Sequence, residues 1–138
     1  MKFSKDDLLF IPLGGSGEIG MNCNLYHYNG TWIMIDLGVM FGNSSMSPNE
    51  LIMPDLSFLQ ENKIKLSALI LTHAHEDHIG AVPYLYSQLN NVPIFTTSFT
   101  ASVLKRKFMS NDFKDYDIRL MDYNKKISIG EFLIQIFA

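Results

Sequence analysis

Short apolar runs separated by polar or glycine-containing turns recur along the chain, a pattern typical of a domain built on a sheet. The run at 8–13 (LLFIPL) predicts a strand, and residues 24–38 predict two strands joined at Asn29 and Gly30, a strong signal for a tight hairpin. Residues 66–72 (LSALILT) are almost all apolar, which favours a strand covered on both faces. We expect these runs to be strands of one sheet.

Helical and extended patterns alternate in the rest of the chain. Residues 41–63 are polar and proline-containing at first and then partly helical, which indicates an excursion between strands. Helices are predicted over 81–90, where Pro83 fits a first turn, and over 98–109, with Ser98 as the capping residue. Further strands of the same sheet are predicted at 92–97, 116–122 and 125–138.

The composition is that of one α/β domain in a reducing compartment. With 138 residues, 47% of them hydrophobic, the chain can bury a core, and no repeat, linker or membrane-length apolar run divides it. A formal net charge of −3 gives no broad basic surface for nucleic acid, although metal ions can supply positive charge where a phosphate lies. Cys23 is the only cysteine, so no intramolecular disulfide forms, and it is expected in the core. Lys5, Asp6 and Asp7 interrupt any signal-peptide pattern, so a cytoplasmic protein without a membrane partner is expected.

A glycine-rich stretch near the amino terminus spells the G-x-G-x-x-G fingerprint of dinucleotide-binding proteins, with Gly15, Gly17 and Gly20 in place and Asp36 downstream. That fingerprint requires a helix after its third glycine, with the pyrophosphate at the helix amino terminus. Here the predicted hairpin follows Gly20 instead. We therefore expect no nicotinamide or flavin cofactor, and we expect the glycines to serve a sharp turn or a close backbone approach.

Three of the four histidines lie within six positions, directly after the predicted buried strand. His73 and His75 alternate along an extended chain and can present their imidazoles together, while the turn that follows redirects Asp77 and His78. Three imidazoles and a carboxylate suit a borderline-soft divalent cation such as zinc, so these four residues are the predicted metal ligands. The fourth histidine, His27, lies in a hairpin strand and is expected to be structural or exposed.

The H-x-H-x-D-H spacing at 73–78 resembles the signature of the metallo-β-lactamase-fold hydrolases. Four stretches together are similar to the opening part of the ribonuclease J group within that superfamily: 12–22, 35–41, 53–62 and 71–85. The resemblance implies an αββα sandwich and a metal-dependent ribonuclease with 5′-to-3′ exonuclease and endonuclease activity on RNA. In that group the fold also carries an inserted β-CASP domain.

The resemblance also implies a role for each matching residue. His73 and His75 would bind one zinc ion, and Asp77 and His78 a second, with manganese or magnesium as alternatives. Asp36 would support the ligand loop through hydrogen bonds rather than bind metal. A bridging hydroxide would attack the scissile phosphorus, and Asp77 could orient it as a catalytic group.

The chain departs from the group's pattern because no histidine follows His78, whereas the full site takes further histidines and a bridging carboxylate. We therefore expect residues 1–138 to be the N-terminal half of the domain, one mixed sheet with flanking helices, without the second half or the β-CASP insert. Such a fragment should bind metal weakly and be inactive alone. Its sheet face at 32–35 and 68–71 should lack cover, which favours self-association.

Other charged residues are assigned to ordinary surface roles. Glu18 and Glu76 are expected to cap backbone or face solvent, and the basic run at 105–107 is expected to be a solvated helix face rather than a nucleic-acid contact. Two alternatives to the ribonuclease remain open. One is another hydrolase of the same fold that acts on a lactone, a thioester or a similar small molecule, and the other is a non-catalytic module.

Overall fold

A six-stranded mixed sheet is the frame of the domain, seen in a computed structural model that describes residues 4–42 and 50–137. In chain order, the strands of this described part are β1 (Leu9–Gly14), β2 (Cys23–Tyr28), β3 (Thr31–Ile35), β4 (Met40–Phe41), β5 (Leu51–Ile52), β6 (Ala68–Ile70), β7 (Ile94–Thr96), β8 (Ile118–Leu120), β9 (Lys126–Ile129) and β10 (Phe132–Gln135). The helices are α1 (Ser57–Glu61), α2 (Glu76–Ile79), α3 (Val82–Leu85) and α4 (Ser98–Ser110). The main sheet has the spatial order β1-β2-β3-β6-β7-β8, while β4 pairs with β5 and β9 with β10.

The hairpin predicted at Asn29 and Gly30 is confirmed. Strands β2 and β3 pair in antiparallel fashion up to Tyr28 and Thr31, which leaves a two-residue turn. Both turn residues have positive φ, 48° at Asn29 and 79° at Gly30, as a type I′ turn requires. The twist of this turn matches that of the strands, so the local sequence sets the register of the hairpin.

Strands β3, β6, β7 and β8 run parallel, so their carboxyl ends lie at one edge of the sheet. Asp36 follows β3, Thr72 comes shortly after β6, and Thr97 follows β7. Functional groups of open α/β sheets collect in the crevice outside such carboxyl ends. The histidine-rich segment follows β6 and therefore belongs to this edge.

The helices cover one face of the sheet and form the main core with it. The cluster joins buried side chains of the sheet, Leu25, Met34, Leu69 and Ile94, to buried side chains of the helical layer, Leu59, Val82, Leu104 and Phe108. The strand predicted at 66–72 is confirmed as β6, and all three of its residues are buried. It is covered on both faces because Leu69 belongs to this cluster and Ala68 to a second one.

The second cluster corrects two predictions about the end of the chain. Strands β9 and β10 do not extend the main sheet, as expected for 125–138, but form a separate antiparallel hairpin. This hairpin packs on the second face of the sheet, where Ile129 meets Ile33, Ala68 and Ile70. The expectation that this face at 32–35 and 68–71 lacks cover is therefore wrong, since Ile33 is 3% and Ile70 5% exposed.

Two helix predictions also need correction. Residues 81–90 form no single helix, because α3 ends at Leu85 and a 3-10 turn follows over Tyr86–Leu89. Buried Tyr86 donates its hydroxyl hydrogen to the carbonyl of Val92 at 2.7 Å, which directs the chain back toward β7. Helix α4 forms as predicted, but its N-cap is Thr97, whose extended backbone precedes the first turn, rather than Ser98.

Within 4–42 and 50–137, no helix combines the length and apolarity needed to cross a membrane.

The excursion predicted for residues 41–63 is partly helical, as expected, since α1 lies within it. The described part of the excursion also contains β5, which pairs with β4. The polar stretch at 43–49 lies outside the described residues.

Truncation of Ile129 to alanine should destabilise the domain by about 2–5 kcal/mol, because it removes buried side-chain volume between the hairpin and the sheet. Leu133→Ala on the same hairpin is the matched control, since Leu133 is 63% exposed, and should change stability by less than about 0.5 kcal/mol. Urea unfolding followed by circular dichroism measures both. Equal effects of the two substitutions would contradict the packing described for the hairpin.

Candidate metal centre

Residues 72–78 are called the histidine loop. They follow β6 at the carboxyl edge of the sheet and end inside α2. The loop stays extended up to His75, which has φ −73° and ψ 151° and is the N-cap of α2. The amide N–H of His78 donates to the carbonyl of His75 at 3.0 Å, which closes the first turn. Glu76 and Asp77 place acidic side chains in that first turn, where the helix dipole favours them. The extended-then-turned course predicted for this segment is confirmed.

The side chains of His73 and His75 face one another. Nε2 of His73 lies 3.1 Å from Nδ1 of His75, and the ring centroids are 4.5 Å apart. Two ligands bound tetrahedrally to one zinc ion at about 2.0–2.1 Å are separated by about 3.3 Å. The two nitrogens therefore have the spacing of a pair of ligands on one ion.

Asp77 and His78 form a second pair with similar spacing. Oδ2 of Asp77 lies 3.3 Å from Nε2 of His78. The other ring nitrogen of His78, Nδ1, lies 2.7 Å from Oδ2 of Asp36, so the neutral ring donates its hydrogen to that carboxylate. In a neutral ring this contact would leave Nε2, on the side of the Asp77 carboxylate, with the lone pair that a metal ligand requires.

Asp36 is the carboxylate that organises the histidine loop. It is 4% exposed and adopts a left-handed backbone, with φ 62°, directly after β3. Its Oδ1 accepts the Thr72 amide hydrogen at 2.8 Å, and its oxygens lie 2.9 and 3.0 Å from the Thr72 hydroxyl. Thr72 Oγ1 in turn lies 3.0 Å from Nδ1 of His73. One buried carboxylate thus connects to a histidine of each pair, to His78 directly and to His73 through Thr72.

The electrostatic environment favours neutral imidazole at His73. Burial lowers the pKa of His73, and the neighbouring rings of His78 and His75 lower it further, against an opposing effect of Asp36 and Asp77. The ring centroids of His73 and His78 are 4.0 Å apart, so two positive charges would lie close together. Neutral imidazole is the form that binds a metal ion.

The four predicted ligands are brought together as two pairs rather than as a larger set. In the part of the chain that the structure describes, no three histidine, cysteine, aspartate or glutamate side chains are arranged to hold a metal ion. Each pair alone fits two positions of a four-coordinate ion. The residues therefore fit divalent cations as incomplete sites, whose remaining positions would go to water.

Glu18 and His27 have the roles that the sequence indicated, whereas Glu76 and Lys107 form an ion pair that it did not. Glu18 accepts the amide hydrogen of Gly15 at 3.2 Å within the glycine-rich loop. Glu76 pairs with Lys107 at 2.5 Å, and the other members of the basic run are exposed on α4. Buried His27 lies between the Asp7 carbonyl at 2.9 Å and the Gly30 amide at 3.2 Å, so it is structural.

Asn22 is a residue of the site that sequence reasoning missed. It lies at the end of the glycine-rich loop, which leads into β2 rather than into a helix, as predicted. Its side-chain Nδ2 lies 3.1 Å from the carbonyl of Asp77, 3.3 Å from the carboxylate of Asp77 and 3.2 Å from Nε2 of His78. The one sequence signal for such a contact was the expectation that the glycines permit a close backbone approach.

Gly38 allows the chain after β3 to lie directly against the histidine loop. A Cβ atom at this position would lie 1.7 Å from the carbonyl oxygen of Asp77, which is far inside van der Waals contact. Hydrogen bonds flank the contact, from the Leu37 amide to the His78 carbonyl at 2.8 Å and from the Val39 amide to the Glu76 carbonyl at 3.0 Å. The candidate ligands Asp77 and His78 are therefore fixed through their backbone.

Sequence comparison matches a profile of the Metallo-beta-lactamase superfamily to residues 17–110, which is more than half of the chain and includes the histidine loop. The chain belongs to the metallo-β-lactamase superfamily. A solved structure from work on how indirect contributions of mutations underlie optimization of new enzyme function has the same fold. It aligns with a TM-score of 0.56 and 15% identity over 91% of this chain and 62% of its own. The metallo-β-lactamase fold predicted from the histidine-loop signature is confirmed.

Curated relatives of this metallo-β-lactamase chain carry the name ribonuclease J. The protein of Sinorhizobium meliloti is 40% identical over 94% of this chain, and that of Helicobacter pylori 37% identical over 96%. Ribonuclease J 2 of Staphylococcus aureus is 35% identical over 90% of the chain. The chain spans 24%, 19% and 22% of the lengths of these three proteins.

Gly38→Ala should destabilise the domain by about 3 kcal/mol or more, because the peptide of Asp77 must move to admit the new methyl group. Gly17→Ala is the matched control. Gly17 has positive φ, but a Cβ atom there would meet nothing within 4 Å, so its cost is about 1–2 kcal/mol of backbone strain alone. Chemical unfolding measures both values. A Gly38→Ala variant no less stable than the control would contradict the close approach.

Cys23 should be unreactive toward a thiol reagent in the folded protein. Its side chain is fully buried, and burial, followed by the negative charge of Asp36, raises the pKa of the thiol to about 12. Very little of the reactive thiolate is therefore present at neutral pH. Labelling with a chromogenic disulfide should be slow in buffer and prompt in denaturing urea. Rapid stoichiometric labelling of the native chain would show that Cys23 is not in the core.

Proposed function

We propose that this chain is the N-terminal part of a metal-dependent ribonuclease that hydrolyses RNA phosphodiester bonds, with 5′-to-3′ exonuclease and endonuclease activity in the whole enzyme. The observation that carries the proposal is the histidine loop, in which two donor pairs have the spacing of zinc ligands. The relatives named ribonuclease J, 35–40% identical over most of this chain, support RNA as the substrate.

The proposed cofactor is a pair of zinc ions, with manganese or magnesium as alternatives. His73 and His75 would hold one ion, and Asp77 and His78 the other. When bound, such ions supply a nucleophile near neutral pH and offset the charge that develops on the phosphate oxygens. Asp36 would hold the Nδ1 hydrogen of His78, which would leave Nε2 free to bind an ion.

Asp77 is the proposed catalytic residue among these ligands. Its side chain is 41% exposed, so one part of the carboxylate can bind metal while another contacts water that approaches the phosphorus. The chain's net charge of −3 offers little general attraction for RNA. The metal centre is therefore the proposed source of positive charge at the scissile phosphate.

We propose that residues 1–138 contribute half of the metal centre and that the remaining ligands and the β-CASP insert belong to other parts of the enzyme. Two protein ligands per ion give weak binding, so we expect this chain to be inactive alone. A cytoplasmic location is proposed because RNA and free thiols such as Cys23 occur together there.

We also propose that the chain self-associates, although the reason is no longer the open sheet face expected from the sequence. The hairpin β9–β10 covers the sheet face first expected to be open, but Leu133 on the hairpin is 63% exposed and Phe137 just after it is 74% exposed. Such residues favour contact between copies. Light scattering at micromolar concentration tests this, and a clean monomer would contradict it.

After dialysis, the purified chain should contain less than about a tenth of an equivalent of zinc and of manganese, because each ion finds only two protein ligands here. Elemental mass spectrometry measures the content, with His75→Ala as the control. About one or two equivalents, lost in the control, would instead mean that a second copy or another residue completes the centre. RNA cleavage by the chain alone would then have to be tested.

The substrate class is tested on a form of the enzyme that has the complete domain. Shortening of RNA from a 5′-monophosphate end, lost in His75→Ala, is the expected result. The second candidate function is hydrolysis of a lactone, thioester or similar small molecule, because the fold and the H-x-H-x-D-H spacing are also used for that chemistry. Turnover of such esters without RNA cleavage would favour the second candidate and contradict the ribonuclease.

A further inference from the structure

Asn22 contacts both members of the second pair of candidate ligands, Asp77 and His78. No role was assigned to it from the sequence. Its side-chain nitrogen lies within 3.3 Å of three acceptors: the Asp77 carbonyl, the Asp77 carboxylate and Nε2 of His78. Its backbone amide donates to the same Asp77 carbonyl at 2.8 Å, and its own carbonyl accepts from the amide of Gly38 at 3.0 Å. Apart from the hydrogen bond with Gly38, these contacts connect Asn22 to the histidine loop, more than fifty positions away in the sequence.

The orientation of the Asn22 amide follows from its surroundings. An amide oxygen directed at these three acceptors would be repelled, so the nitrogen must face them. The oxygen then points toward Gly15, where a Cβ atom would lie 2.4 Å from Oδ1. Gly15 has φ 80°, a conformation suited to glycine, and its missing side chain leaves the space that this orientation needs.

The hydrogen count of this amide is the basis of the inference. An asparagine amide has two hydrogens, and three acceptors surround it, of which the Asp77 carbonyl also accepts the Asn22 backbone amide hydrogen. A cation at the second donor pair would use the lone pair of His78 Nε2. The two hydrogens would then match the two remaining acceptors, both on Asp77.

We propose that Asn22 is a positioning residue for the second cation: its amide holds the Asp77 carboxylate in place, and both of its hydrogens keep acceptors, on Asp77, when His78 binds metal. The proposal rests on the metal centre proposed above and extends it to a residue outside the H-x-H-x-D-H spacing. It predicts a selective effect, because Asn22 contacts Asp77 and His78, whereas His73 and His75 have no described hydrogen bond with it.

The test is a titration of the isotope-labelled chain with Co²⁺ to millimolar concentration, followed by the large contact shifts that arise only in a histidine ring bonded to the ion. Each donor pair then reports its own dissociation constant. Asn22→Ala should raise the constant of the Asp77 and His78 pair by about tenfold, the lower range for loss of a residue that orients a ligand. The constant of the His73 and His75 pair should stay unchanged.

Two further variants make the outcome specific. Asn22→Leu keeps the approximate size of the side chain and removes both N–H donors, so a loss of affinity shared with Asn22→Ala comes from the missing hydrogen bonds rather than from missing volume. Asn24→Ala is the matched control, because Asn24 is the same residue type on β2 but its described contacts do not include the histidine loop. It should leave both constants unchanged.

The remaining outcomes overturn the proposal in distinguishable ways. If both Asn22 variants bind Co²⁺ as the unaltered chain does, or if both pairs weaken equally, Asn22 has no selective positioning role, and the metal centre itself stands. If the unaltered chain shows no Co²⁺-dependent shift at either pair, the proposed metal centre fails and the role of Asn22 fails with it.

Discussion

The backbone of Gly38 lies against the peptide that joins Asp77 to His78, and the geometry of the candidate site depends on this contact. The residues on either side of Gly38 donate hydrogen bonds to the carbonyls of Glu76 and His78, as a short ladder would. The segment after β3 is itself fixed by the sheet. The positions of the candidate metal ligands are therefore set by the parallel strands rather than by a flexible surface loop.

A second constraint is electrostatic and is centred on Asp36. This buried carboxylate accepts hydrogen bonds from Thr72 and from Nδ1 of His78, and Thr72 carries its influence to His73. The same negative charge contributes to the raised pKa of Cys23 on the neighbouring strand. One carboxylate thus orients two of the candidate ligand histidines and disfavours a second negative charge beneath the site.

The parts of the fold that were predicted correctly are those encoded by adjacent residues. Asn29 and Gly30 specify their turn by backbone conformation alone, and the six-residue spacing from His73 to His78 contains all the predicted donors. The cover given by Ile129 and the contacts of Asn22 depend on residues far apart in sequence, so no local pattern predicts them. The apolar run at 125–138 indicated strands correctly but could not indicate which sheet they join.

The same limit explains the smaller errors in the helices. A serine before a helical pattern is a good cap on average, yet the residue that keeps the extended conformation is Thr97, because β7 continues almost to the first turn. In the segment 81–90, the buried hydroxyl of Tyr86 redirects the chain where periodicity alone indicated a continuous helix. Tertiary hydrogen bonds and neighbouring strands therefore set boundaries that propensity leaves open.

The hairpin β9–β10 covers the second face of the sheet through packing of side chains such as Ile129 and through its turn at Gly130, which lies against Thr31. Among the described residues it shares no backbone hydrogen bond with the main sheet. Separating the hairpin from the sheet would break no ladder, and both of its strands could remain paired. It is therefore a unit that can undock as a whole, and its amide protons should exchange together at a lower free energy than those of β3 and β6.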